Sequence, residues 1–356
     1  MMFRLERCRL VYFLPLLLLC SCGSSTPQTT VVSSPVVTPA PVQPAFTPPP
    51  AQNVPNSFAA WLADFKREAL SKGITQPVLD DAFANVTQPL QTVLERDNTQ
   101  PEKTKTFDEY LSGVLKPKTV EAAREQWQSH EDILADVQKA YDVPPQVLLA
   151  LWQSESVFGK VQGKFSIIDS LATLAYDGRR SAFFRTQLLD ALTLLQQEHM
   201  PASELTGSWA GAMGQTQFMP QSFLAFAVDF DGDGKKDIWK SDADALASMA
   251  NYLHTRGWDG ESGWGLHVKV PAHANVQEWV DSKEKLGMAQ WSKRGIKRFG
   301  GGKLPKDAPL ARLVIVDKDP DYAYLVYPNY DVIMDWNRST YFATSVNLLA
   351  DAIAKK

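Results

Sequence analysis

Residues 23–57 decide how much of this chain can fold. They carry no charged side chain and nine of the chain's 23 prolines, a composition that cannot bury a core and favours extended, solvated conformations. The segment reads as a Pro/Ser/Thr-rich tether over residues 22–56. It separates a short leader from a folded part, residues 57–356, that is long enough to bury a sizeable core as one enzyme with lobes.

In the leader, Arg4, Arg7 and Arg9 precede an apolar run over residues 10–19, too short to span a bilayer permanently and typical of an export signal. The run ends in Leu19-Cys20-Ser21-Cys22-Gly23. A small residue before a cysteine resembles the lipobox cut by the lipoprotein signal peptidase, so residues 1–21 are expected to leave and Cys22 to be lipidated. Cys20 fits less well because bulky Leu19 precedes it, and an uncleaved anchor helix is the plainer alternative. Gly23, where an aspartate would favour the inner membrane, points to the periplasmic face of the outer membrane.

Cys8, Cys20 and Cys22 are the only cysteines, which excludes disulfides, metal-thiolate sites and cysteine nucleophiles from the folded part. Loss of residues 1–21 leaves 33 Lys and Arg against 39 Asp and Glu, a charge of −6 compared with −4 for the whole chain. No basic field attracts nucleic acid.

The folded part reads as mainly α with a small β-containing lobe (α+β). Phe58, Trp61, Leu62, Phe65 and Ala69 recur at helical spacing behind Ser57, and Thr75 opens a second helix. Residues 118–141 read as one long amphipathic helix stopped by Asp142-Val143-Pro144-Pro145, whose prolines open the next. Further helices are expected over residues 181–199, 220–228, 242–256 and 340–356. Strand-like runs occupy 267–270, 313–316 and 324–326. Trp264, Trp279 and Trp291, in that region, are best read as core.

In the helix after Pro144, Leu148, Leu151 and Trp152 form an apolar stripe, and Glu155 lies on the same face. Burial disfavours a charged carboxylate and raises its pKa, as an acid that protonates a leaving group near neutral pH requires. A salt-bridged structural glutamate is the competing reading.

Glu155-Ser156-Val157-Phe158-Gly159 is followed by Gly207-Ser208-Trp209-Ala210-Gly211-Ala212-Met213-Gly214-Gln215-Thr216-Gln217-Phe218-Met219-Pro220. With residues 141–145 and 177–184, these stretches resemble the membrane-bound lytic murein transglycosylase B family. The resemblance covers residue 58 to the C-terminus. It implies a lysozyme-like catalytic core with an additional helical lobe, and peptidoglycan glycan strands as substrate. It makes Glu155 the catalytic residue and Ser208, Met213, Gln217 and Asn337 cleft residues. Tyr110 and Tyr252 match family aromatics lining the cleft, though each alone reads as core. Arg179 and Arg180 match a paired motif that either contacts substrate or braces a loop. Gly207, Gly211 and Gly214 are expected to form a bare backbone floor for a sugar polymer, or to allow close packing through small residues.

Ordinary glycosidases need two carboxylates, and no second one is evident here; Asp169 and Asp177 read as cap or loop residues. In the resembled family the substrate's N-acetyl oxygen supplies the missing group and the sugar's own 6-hydroxyl attacks. The expected activity is therefore lytic transglycosylation of the MurNAc-GlcNAc β-1,4 bond, leaving 1,6-anhydromuramic ends. A silent glycan-binding lipoprotein and a lysozyme-type hydrolase are the alternatives. Cell-wall synthesis enzymes are candidate protein partners, and no organic cofactor is expected.

Asp229, Asp231 and Asp233 alternate before Gly234, with Lys235 placed to offer a backbone carbonyl and Asp237 a water-mediated contact, as in an EF-hand calcium loop. The twelfth position, however, is Lys240 rather than a bidentate glutamate. The resembled family closes its site with a later aspartate, which makes Asp244 the final ligand and Asp242 the fallback of an EF-hand-like loop over residues 229–244. A solvated acidic turn is the alternative.

Overall fold

Ser57 caps the first helix described, its hydroxyl accepting from the Ala60 amide at 3.2 Å, so that one otherwise unpaired donor of the first turn is satisfied. The computed structural model describes residues 57–98, 105–272 and 274–355, all within one compact unit. Cys22 and the tether lie outside the described residues.

The N-terminal part is helical: α1 (Phe58–Ser71), α2 (Gln76–Ala82), α3 (Gln91–Asn98), α4 (Phe107–Val114), α5 (Pro117–Ser129), α6 (Glu131–Tyr141) and α7 (Pro145–Ser156). The expected single helix over 118–141 is in fact two. His130 ends α5 and starts α6 with φ −121°, and its ring turns to Asp242 at 3.0 Å. That distant partner breaks a run whose local sequence would have continued as helix.

After α7 come β1 (Phe165–Ser166), α8 (Ile167–Asp177), α9 (Ser181–Gln197), β2 (Thr206–Gly207), α10 (Pro220–Phe226) and α11 (Asp242–Thr255). The C-terminal part holds β3 (Gly265–Lys269), α12 (Val276–Ser282), α13 (Met288–Lys293), β4 (Lys297–Arg298), β5 (Arg312–Ile315), β6 (Ala323–Val326), α14 (Pro328–Trp336) and α15 (Thr340–Ala354). The helix α7 is the hub: Leu148, Leu149, Leu151 and Trp152 are all buried, and α15, α5, α6 and α11 pack around it.

The four-stranded antiparallel sheet has the order β4-β3-β6-β5. Its alternation separates two cores. Val314, Tyr324 and Val326 face the main core, while Val268, Leu313, Ala323 and Leu325 face a smaller core with Leu286, Met288, Trp291 and Ile296. The tryptophans serve as expected: Trp291 is fully buried and donates to the Ala311 carbonyl at 2.9 Å, and buried Trp264 donates to Asp351 at 3.0 Å.

Candidate active site

Pro145, in the first turn of α7, forfeits no hydrogen bond there, and the buried stripe of Leu148, Leu151 and Trp152 turns Glu155 inward on the last turn. Val157, Phe158 and Gly159 follow with φ of 52°, 56° and 77°. A left-handed backbone is strained for a β-branched valine. It is held by Val157 N donating to the Gln153 carbonyl (3.1 Å), Phe158 N to that of Trp152 (3.2 Å) and Gly159 N to the Ser156 hydroxyl (3.0 Å). The abrupt stop leaves Glu155 at a helix end.

Glu155 as a residue is half-buried, and the protein around its carboxyl desolvates it enough to raise its pKa to about 7, partly offset by a hydrogen bond from Trp336. That bond runs from the indole Nε1 to Oε1 at 2.7 Å. Among the described residues Glu155 has no ion-pair partner within 4.0 Å, which disposes of the salt-bridged alternative. Trp336 is held by Tyr252 (ring centroids 4.8 Å apart, 71°) and Phe218 (5.3 Å). Tyr252 in turn packs on Phe226 and lies under the Arg256 guanidinium.

Beside α7, a polar chain that starts from buried Trp152 and Gln215 fixes the glycine-rich loop. Trp152 Nε1 donates to Gln215 Oε1 (2.8 Å), Gln215 Nε2 donates to Asp242 (2.9 Å), and the other Asp242 oxygen meets His130. A Cβ on Gly159 would lie 2.6 Å from Gln215 Oε1, so this glycine is fixed by packing as well as by its φ.

The expected bare glycine floor is corrected. A Cβ on Gly207 would strike the Ala212 carbonyl, one on Gly211 would meet Leu171 at 2.5 Å, and one on Gly214 would lie 2.7 Å from the Ile238 carbonyl. These glycines face protein, and close backbone packing is their reason.

At the loop before α11, one carboxylate oxygen from each of Asp229, Asp231 and Asp244 lies within 4.8 Å of the others. Asp244 is fully buried; burial raises its pKa, backbone donors of Phe230, Asp237 and Asp231 pull it back, and the Asp231 charge raises it again. Hard oxygen donors so placed suit a calcium-class cation. Asp242 is committed elsewhere, to Gln215 and His130.

A family profile described as the transglycosylase SLT domain matches residues 57–351. The chain belongs to this family. Like other transglycosylase SLT domains it is mainly helical with the lysozyme-like fold of lytic transglycosylases. It is 34% identical over 248 residues to the membrane-bound lytic murein transglycosylase B of Escherichia coli (strain K12), a match covering 69% of this chain and 66%, just under two thirds, of that protein. SltB3 from Pseudomonas aeruginosa, solved with NAG-NAM-pentapeptide, superposes with a TM-score of 0.79 at 41% identity over 85% of this chain and 80% of that one. The Escherichia coli lytic transglycosylase Slt35, solved with calcium, gives 0.71 at 29% identity over 85% and 93%.

Within this transglycosylase SLT domain the sequence-predicted residues divide. Glu155 and Tyr252 converge through Trp336, and exposed Asn337 follows Trp336 directly. Gln217, at φ 51°, donates to the Gln162 and Gly214 carbonyls, and the Ser208 hydroxyl accepts from Ala212 N. Tyr110 stands against Tyr341, ring centroids 5.8 Å apart. Met213 is corrected: its side chain is fully buried, and only its backbone, bridging Gly207 and Phe218, belongs to the loop. Arg179 and Arg180 both pair with buried Asp97 on α3 while remaining about half exposed. Trp336, Gln215 and His130 were missed. The position of Trp336 directly before Asn337, a matched cleft residue, was the available signal.

Proposed function

We propose that this chain is a lytic transglycosylase cleaving the MurNAc-GlcNAc β-1,4 bond of peptidoglycan, with Glu155 as sole acid and base. The observation that carries this is a desolvated carboxyl, pKa about 7, held by a neutral donor with no cation beside it. The indole can only donate, so Oε1 stays an acceptor and the acidic proton resides on Oε2. That proton passes to the glycosidic oxygen as the C–O bond breaks. The substrate's N-acetyl oxygen steadies the oxocarbenium ion, and the carboxylate then takes the proton of the 6-hydroxyl as it closes on C1. The tethered nucleophile outcompetes water, and no net water is added. Ser208, Gln217, Asn337, Tyr110 and Tyr252 are proposed to line the cleft.

Asp229, Asp231 and Asp244 would hold a calcium ion, with Asp233 and the Lys235 carbonyl completing the set, and the ion would pin the loop before α11. The calcium complex of Slt35 and the convergence of three carboxylates support this reading. The division into leader (1–21), tether (22–56) and catalytic region (57–356), with lipidation at Cys22 and residence on the outer membrane, rests on the leader sequence and on the membrane-bound relative. The test is solubilisation of purified murein sacculi. The wild type is expected to release fragments and Glu155→Gln to bind without release; equal release by both would remove the assignment.

A further inference from the structure

A second surface lies on the small sheet, apart from the residues assigned to catalysis. From residue 285 to 306 the chain carries seven Lys or Arg and no Asp or Glu, within a protein of net charge −4. Lys269 on β3 lies directly opposite Lys297 on β4, a like-charge cross-strand pair that destabilises a sheet. The ion pairs of this lobe use Lys285, Arg294 and Arg312. Among the described residues Lys269, Lys297, Arg298 and Lys303 have no carboxylate within 4.0 Å.

Residues 297–303 are all exposed. Phe299 stands at 47% exposure on the turn, one face stacked on His267 at 3.8 Å and its amide donating to the His267 carbonyl at 3.0 Å. Gly300, Gly301 and Gly302 follow with φ of 77°, 98° and 99°, a left-handed run open to glycine. The result is a protruding aromatic flanked by unneutralised cations.

We propose that this corner docks on an anionic phospholipid surface, with Phe299 entering the headgroup layer and Lys269, Lys297 and Lys303 meeting lipid phosphates. Charge complementarity and the aromatic tip are the signature of interfacial binding. A glycan or peptide would instead need a groove with fixed donors and acceptors, which seven consecutive exposed residues do not form. The contact would orient a catalytic unit whose tether sequence alone sets no orientation.

The test measures binding of the complete chain to vesicles of phosphatidylcholine with and without phosphatidylglycerol; the neutral vesicles give the contribution of the leader. The preference for anionic vesicles should fall with added salt. Each basic residue contributes roughly fivefold, so K269E/K297E/K303E should lose that preference by at least about a hundredfold, and Phe299→Ser by less, with unchanged thermal melts. An anionic preference that survives the triple reversal overturns the proposal. So does equally tight binding of inorganic phosphate, or of muropeptides bearing stem-peptide carboxylates, in the absence of vesicles.

Discussion

The indole Nε1 of Trp336 donates to Oε1 of Glu155 across 2.7 Å, joining a residue at the end of α14 to one 181 positions earlier at the end of α7. The bond favours the carboxylate and so works against the burial that raises its pKa. Acid strength at this site is the balance of the two.

Trp336→Phe removes the donor and keeps a ring against Tyr252. Because the lost bond lowers the pKa, the variant's pKa should rise, on the order of one unit. The basic limb of kcat/KM against pH, expected near pH 7 in the wild type, should move upward by that amount. An unmoved limb would separate Trp336 from the ionisation.

Glu155→Gln should stabilise the fold at alkaline pH. A carboxyl whose folded pKa is raised from 4.5 to about 7 favours the native state only while protonated. Its contribution is lost as pH rises from 4.5 through 7, where the unfolded chain has already released its proton. The amide carries no such cost and still accepts from Trp336. Melts should show a gain on the order of 3 kcal/mol at pH 8 that vanishes at pH 4. A pH-independent difference would mean that Glu155 is not desolvated.

Gly207→Ala separates packing from substrate access. The added methyl meets the Ala212 carbonyl, so thermal stability should fall by about 2 kcal/mol. Loss of glycan affinity with an unchanged melting temperature would restore the open-floor reading.

These glycines show where sequence reading ends. The motif marks a loop in which backbone must come close, but whether the partner is ligand or protein depends on Leu171 and Ile238, which no local pattern supplies. The stripe that aims Glu155 inward was legible because helical periodicity is local, as were the core of α1 and three strands of the small sheet. The break at His130 was not, since the ring's partner Asp242 lies 112 residues away. Nor was the indole donor, because a tryptophan reads as core unless its partner is known. Nor were the ion pairs of Arg179 and Arg180, whose shared partner Asp97 lies 82 and 83 residues away.

Calcium should raise the melting temperature and a chelator should reverse the gain. At a hundredfold excess over Kd the stabilisation is about 2.7 kcal/mol, several degrees for a chain of this size. Asp244→Asn should abolish the response. A calcium-insensitive wild type would leave the Asp229, Asp231 and Asp244 cluster as an acidic turn.

The mass of fragments released from sacculi probes most directly whether one carboxyl serves as both acid and base while the sugar attacks itself. Ring closure by the 6-hydroxyl predicts muramic ends lighter by one water than the corresponding reducing ends. Reducing ends at full mass would show that water is the nucleophile and that the chain is a hydrolase.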